Sequence, residues 1–250
     1  MIVDFAINLL LGLALGTLGG LFGIGGGLIA IPVLGVLFGL DQQLAQGTAL
    51  VMVVPNVLLA VWRYHQRNRI DWRHAAALAV TSFCFAIIGA RYALSLDAGR
   101  MRWAFIVFLL LLALYSVVRV WLRSAPGSSG LKYGWPWLSL LGAWAGALGG
   151  LFGVGGAVLA TPVLTSLFGA SQVVAQGLSL ALAVPSTSVT LVAYGLHDQV
   201  DWLLGLPLAL GGLLSVSLGV RLAHALPEPL LRMLFSGFLV ASAALLALET

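Results

Sequence analysis

Gly19-Gly20-Leu21-Phe22-Gly23-Ile24-Gly25-Gly26 recurs 130 positions later as Gly149-Gly150-Leu151-Phe152-Gly153-Val154-Gly155-Gly156. Glycine is costly inside a helix and free to adopt turn conformations, so a cluster within apolar sequence marks a helix break. A break exposes backbone N–H groups and the positive end of the helix that follows, and together these attract an anion. Gly25, Gly26 and Gly27 would open that second helix in the first copy, and Gly155, Gly156 and Ala157 in the second. The competing reading is that these glycines only permit close helix packing, as small residues commonly do in membranes.

Polar residues inside apolar runs are the next candidates, because unpaired polar groups are costly in lipid. Gln46 and Gln176 stand in matched Ala-Gln-Gly triplets, with Thr48 and Ser179 close by. Asn56 and Ser186 each follow a matched proline, Pro55 and Pro185, and such a proline frees a carbonyl one turn earlier. Amides and hydroxyls can donate to an anion without adding fixed charge, which suits a site that must also release its cargo. Interhelical hydrogen bonding, at about 0.6 kcal/mol on average, is the alternative.

Other residues carry less. Arg91 and Arg221 match at the ends of apolar spans, where they either attract anions or snorkel to the interface. Asp71 and Asp201 precede matched tryptophans and are expected to cap helices. The histidines, 65, 74, 197 and 224, are read as loop residues without metal-ligand spacing, so no metal or other cofactor is expected. Cys84, the single cysteine, permits no intrachain disulfide and is read as a small buried apolar residue. All eight carboxylates fall at span ends or in loops, which speaks against intramembrane proton coupling and against a cation cargo.

The elements that must position these groups follow from composition. The chain has 250 residues, 61% hydrophobic and 8% charged, against about 25% charged in a soluble domain. Lipid is therefore the solvent. Without polar–apolar alternation a β-barrel is excluded, and the fold class is an all-α integral membrane protein. The net charge of +4 is spread over short loops and does not point to nucleic acid. Asp4 stands where a signal peptide would be basic, so no cleaved leader is expected.

The 130-residue shift holds without a gap from Gly16 to Arg91, with 30 identities in 76 positions, including Tyr64 with Tyr194. The chain is thus two repeats, 1–123 and 135–250, joined by a linker at 124–134 around Pro126-Gly127-Ser128-Ser129-Gly130. Phe5 to Leu40 as one helix would run roughly 54 Å, far beyond a hydrocarbon core of about 30 Å. It is read as a glycine-broken hairpin over 5–40, re-entrant or fully crossing, followed by spans at 44–62, 75–94 and 103–121. The second repeat has a hairpin over 137–169 and spans at 174–193, 203–223 and 230–247. A hairpin plus three spans inverts the second half relative to the first. Loops 63–73, 119–132 and 221–232 then share one side and hold nine of the twelve basic residues, which favours the inverted over the parallel arrangement.

Gly19 to Pro32 (GGLFGIGGGLIAIP), Gly149 to Pro162 (GGLFGVGGAVLATP) and the Ala-Gln-Gly segments resemble the TauE/SafE sulfite exporter family, over nearly the whole chain. Ala157 for the third glycine and Leu178 opposite Thr48 depart from exact duplication. The resemblance implies a multi-pass permease of the bacterial plasma (inner) membrane that exports sulfite or related organosulfur anions. Inverted repeats broken on glycine bind their cargo near the midplane, so alternating access between the halves is the expected mechanism. The expected partners are a small anion and the bilayer, with a homo-oligomer left open. A membrane-embedded enzyme and a non-transporting assembly subunit are the alternatives. The enzyme lacks a nucleophile–base pair at depth.

Overall fold

The computed structural model describes residues 2–68, 70–121 and 133–247. All ten elements among them are α-helices. The first half contributes α1 (Ile2–Phe22), α2 (Gly27–Phe38), α3 (Gln42–Asn68), α4 (Trp72–Ser95) and α5 (Ala98–Trp121). The second contributes α6 (Trp135–Phe152), α7 (Ala157–Ser166), α8 (Gln172–Gly195), α9 (Trp202–Ala225) and α10 (Glu228–Ala247). Six helices are long and apolar enough to cross a membrane. The expected linker falls almost wholly on 122–132, outside the described residues, as does Arg69 of the basic loop.

α1 and α6 end on the glycine clusters because the backbone there turns left-handed. Gly23, Gly25 and Gly26 have φ of 68°, 71° and 92°, and Gly153, Gly155 and Gly156 have 67°, 73° and 72°. The chain reverses at once, so that Gly26 lies against the carbonyl of Leu15 and Gly156 against that of Ala145. At 12 residues α2 is about 18 Å long and α7, at 10, about 15 Å, roughly half a hydrocarbon core. Three residues, 39–41, then connect α2 to α3, so α2 returns to the end of the bundle where α3 begins. α2 and α7 are therefore too short to cross such a core, whereas α1 is long enough to do so.

Two buried hydrogen bonds fix how the central helices lie. Tyr64, late in α3, donates to Gln176, early in α8 (2.9 Å), and Tyr194, late in α8, donates to Gln46, early in α3 (2.7 Å). α3 and α8 are thus antiparallel neighbours, and the hairpins on either side of them enter from opposite ends of the bundle. The remaining pairings cross between the halves: α1 packs on α9, α6 on α4, and α5 on α10. Phe22 stacks on Phe238 at 5.3 Å and Phe152 on Phe108 at 4.5 Å, so the 130-residue correspondence extends into α5 and α10.

Small residues allow these approaches. Gly12, Gly16 and Gly20 form a stripe on α1 against α9, and Gly142, Gly146 and Gly150 form the same stripe on α6 against α4. A Cβ on Gly16 would sit 2.4 Å from the Cα of Gly212, and one on Gly146 would sit 2.4 Å from the carbonyl oxygen of Ser82. The glycines divide by geometry. The stripes pack helices, while the positive-φ glycines make the turns.

The caps on α4 and α9 are as expected. The Asp71 carboxylate accepts from the Arg73 N–H at 2.9 Å, and that bond, helped by His74 at 2.8 Å, holds its pKa below the usual carboxylate range. Asp201 accepts from the Leu204 N–H at 3.1 Å. Two expectations are corrected. Cys84 is exposed, not buried, because the buried face of α4 runs Leu78, Ser82, Ala86 and Gly89, and Cys84 lies off that phase beside exposed Phe83 and Phe85. His65, His74 and His224 lie within helices rather than loops, because α3, α4 and α9 extend past their apolar cores; His197 follows the end of α8.

Substituting Gly16 or Gly146 by Ala places a methyl on the facing backbone and is expected to destabilise the protein by about 1–3 kcal/mol. Gly237 has nothing within 4 Å of the same methyl, so Gly237→Ala should leave the unfolding midpoint in detergent unchanged. Thermal unfolding of the three variants checks this.

Candidate functional site

The two hairpin tips meet in the middle of the bundle. Gly27, the first residue of α2, lies against Val53 of α3, and its missing Cβ would fall 3.6 Å from the carbonyl oxygen of Gly153 in the other tip. Gly155 lies against Thr187 and Ala183 of α8. No side chain caps the start of α2 or α7. The first bonds back to Gly26 and Gly156 come from Ile29 and Ala30 and from Leu159 and Ala160. The earlier amides of both helices therefore lie at the buried junction of the tips, where a polarised backbone end is not screened by water.

The central helices α3 and α8 carry uncharged polar groups into the interior. Gln46, Thr48, Asn56, Gln176, Ser179, Ser186, Thr187 and Thr190 are all fully buried. Of the residues picked out in the sequence, Gly25, Gly26, Gly27, Gly155, Gly156, Gln46, Gln176 and Ser186 touch the tips. Gln176 packs its aliphatic stem on Gly23, and Gln46 packs its own on Gly153. The Ser186 hydroxyl lies 2.9 Å from the carbonyl oxygen of Gly155. Thr48 is placed elsewhere: its hydroxyl accepts the N–H of Asp201 at 2.9 Å, near the bundle end. Arg91 and Arg221 sit on outward faces, away from the tips.

Tyr64 and Tyr194 were visible in the sequence only as a matched pair. Each is fully buried and reaches a hairpin tip. The Tyr64 hydroxyl lies 3.3 Å from the carbonyl oxygen of Gly20, and Gln176 Nε2 donates to that of Leu21 at 3.3 Å. The Tyr194 hydroxyl lies 3.5 Å from the carbonyl oxygen of Leu151, the repeat mate of Leu21. The last carbonyls of a helix lack intrahelical partners. One tyrosine and one glutamine, drawn from different halves, serve those of α1, and a tyrosine does so for α6. The repeat match was the available signal, since Tyr64 stands between Arg63 and His65 and no local pattern marks it as buried.

Some buried donors find no partner among the described residues. Asn56 has both amide atoms unsatisfied, and Gln46 Nε2, Ser179 Oγ and Ser82 Oγ are in the same state. Asn56 occupies the space that Gly212 of α9 vacates, since a Cβ there would lie 2.4 Å from its Nδ2. The repeat mates reverse this division: Ser186 replaces Asn56 and Ser82 replaces Gly212. Unsatisfied buried groups cost about 1–3 kcal/mol each, a cost that a polar ligand within reach of one would relieve. None of these groups is a carboxylate. The described carboxylates lie at or beyond helix ends, among them Asp41, Asp71, Asp97, Asp198 and Asp201.

These features define a multi-pass helical membrane protein whose polar centre is built by two glycine-broken hairpins, the class to which transporters with broken helices belong. The profile described as "Sulfite exporter TauE/SafE" matches residues 8–246, and the chain belongs to that family. It is 26% identical over 242 residues to the "Probable membrane transporter protein YunE" of Bacillus subtilis, covering 88% of this chain and 89% of that one. A "Probable membrane transporter protein" of Xylella fastidiosa strain Temecula1 is 30% identical over 234 residues, covering 90% and 86%. One from Methanocaldococcus jannaschii is 25% identical over 249 residues, covering 92% and 91%. The protein is thus a membrane transporter and not an enzyme.

Alanine at Gly25 or Gly155 must adopt positive φ and also meet Val57 or Thr187 at 2.4 or 2.3 Å. Gly39 has φ +63° with nothing within 4 Å, so Gly39→Ala isolates the dihedral cost of about 1–2 kcal/mol. Gly25→Ala and Gly155→Ala should lose more thermal stability than Gly39→Ala and should lose transport as well. Equal losses in all three would mean that the tips tolerate a side chain.

Proposed function

We propose that this transporter is a secondary permease for small anions, with sulfite or organosulfonates as cargo, and that it works as an exporter in the bacterial plasma membrane. The observation that carries this reading is the pair of uncapped helix starts, α2 and α7, meeting in a buried centre that holds amides and hydroxyls but no carboxylate. An oxyanion there would accept from the turn amides of Gly25, Gly26, Gly27 and Gly156, and from that of Gly155 only in exchange for its 3.4 Å bond to the Gly149 carbonyl. Gln46, Asn56, Gln176, Ser179 and Ser186 would supply side-chain contacts. Thr48 lies too near one end to share the cargo and would hold α9 in place through Asp201.

The two halves, 1–123 and 135–250, act as inverted repeats on this reading, each lending one hairpin to a site at the midplane. The antiparallel course of α3 and α8 supports it. The end of the bundle bearing Arg63, Arg73 and Arg221 would face the cytoplasm by the positive-inside rule. The end bearing Asp41, Asp97, Asp198 and Asp201 would face outward. Rocking of one half against the other would open the centre to each side in turn.

Proteoliposomes of the purified protein test the reading. Sulfite and sulfoacetate should be taken up selectively over sulfate, phosphate and a neutral solute, and Gln46→Ala with Gln176→Ala should reduce that flux by about tenfold or more, as expected for about 1.4 kcal/mol. Flux that survives the double substitution would move the site onto the glycine amides. Folded protein that moves no anion would sink the permease reading.

A further inference from the structure

Tyr194–Gln46 and Tyr64–Gln176 are the same contact made twice, at opposite ends of the paired central helices. Gln46 and Tyr64 are 18 residues apart on α3, about 27 Å along the helix. Each contact joins the two halves of the chain, each is fully buried, and each lies directly beside one hairpin tip. We propose that Tyr64 and Tyr194 are the two gate residues of the transport path, each closing one side by holding the glutamine of the other half. The proposal deepens the permease reading above and rests on it.

Three observations favour a gate over a fixed strut. First, the bond is weak enough to open: a side-chain hydrogen bond between helices in lipid is worth little, and its loss shifts an equilibrium about fivefold for about 1 kcal/mol. Second, the hydroxyl has somewhere to go. A phenol has one proton, and besides the glutamine it has a carbonyl in reach, that of Gly20 at 3.3 Å or of Leu151 at 3.5 Å. A tyrosine that releases its glutamine is therefore not orphaned. Third, a glutamine whose Oε1 is released by the tyrosine is free to turn its amide, and at Gln46 the Nε2 that could then face the junction of the tips has no other partner to leave.

The approach to one gate is already formed. A polar cavity of about 330 Å³ at the α3 start is lined by Asp41, Gln43, His197 and Gln199 among others. Gln199 forms its floor: its N–H donates to the Tyr194 carbonyl at 3.0 Å, and its own carbonyl abuts Gly47, next to Gln46. At the opposite gate the equivalent neighbour of Gly177 is apolar Ile70. With both bonds made at once, the centre is shut from either end.

Sided labelling of a single cysteine tests this. Ser186→Cys on a Cys84→Ser background places a thiol between the gates, and a membrane-impermeant thiol reagent is applied to right-side-out and to inverted vesicles. Tyr194→Phe should raise labelling about fivefold from the side of the Asp41–His197 cavity alone, and Tyr64→Phe from the other side alone. A strut would give no such opposite sidedness. Gln46→Met and Gln176→Met remove the acceptors instead and should reproduce the respective tyrosine phenotypes. They stand in if a tyrosine variant fails to fold, and Gln46→Met with Tyr194→Phe should add nothing to either alone. Labelling raised from the same side by both tyrosine variants, from both sides equally, or from neither, overturns the gates. Anion flux in vesicles of protein that keeps Ser186 and both tyrosines is a separate readout: opposite sidedness in the labelled variants without flux there would retain the gates and reject the anion cargo.

Discussion

A helix that ends in the buried interior of a membrane protein leaves backbone carbonyls and amides where no water can satisfy them, and this constraint organises the molecule. α1 and α6 both end this way on left-handed glycines. Their last carbonyls are met by side chains that come from the central helices: Tyr64 and Gln176 at one tip, Tyr194 at the other. At the α1 tip the tyrosine and the glutamine come from different halves, so the first half does not satisfy that end alone. The swapped packing of α1 on α9 and α6 on α4 follows the same logic, since each hairpin must be brought to the other half's helices. The carbonyl ends are thus satisfied, while the amide starts of α2 and α7 carry no side-chain cap. That difference gives the centre its positive character.

Much of the fold was legible because it is written twice. The 130-residue shift located the breaks, the matched prolines and the caps at Asp71 and Asp201, and apolar runs placed the long helices to within a few residues. Hydropathy could not distinguish a re-entrant hairpin from two spans, since both are apolar throughout. The answer lay in the short connection at 39–41 and the 12 residues of α2. Cys84 was misplaced because apolar sequence gives no phase in a helix surrounded by apolar neighbours, and the orientation of α4 depends on Gly142 and Gly146 of α6. The polar residues were visible individually but not their partners. Tyr64 and Gln176 are 112 positions apart, Tyr194 and Gln46 are 148 apart, and Thr48 meets an N–H 153 residues away. No local pattern encodes such pairs.

Duplication did not leave the two sides identical, and the departures have a volume logic. Asn56 faces Gly212, while their mates Ser186 and Ser82 divide a similar volume between two hydroxyls. Ser186 has carbonyl acceptors, including that of Gly155 at 2.9 Å, whereas Asn56 has no partner among the described residues. Gln176 completes its amide on Leu21, whereas Gln46 leaves its Nε2 free. The unsatisfied amides, those of Gln42, Gln46 and Asn56, thus all come from α3. On the proposed reading, the cargo is held asymmetrically, with more of its side-chain donors drawn from the first half.

Charge at the two ends runs the same way as this asymmetry. α3 starts beside Asp41 and the polar cavity and ends in Arg63, while α8 starts in uncharged Ser171 and ends at His197 and Asp198. On the proposed reading, an anion leaving the centre past Gln46 would move from a region of neutral donors toward Asp41, Asp198 and Asp201, which do not retain it. Arg91, Arg100 and Arg102 stand at that end too, Arg100 paired with Asp97 at 3.0 Å. One approaching past Gln176 would come from the end bearing Arg63 and Arg73, where arginines concentrate anions at the surface. On that reading, arginines at both ends draw anions to the surface and the uncharged centre lets them go, so the proposed direction of export rests on the positive-inside orientation rather than on a charge within the site.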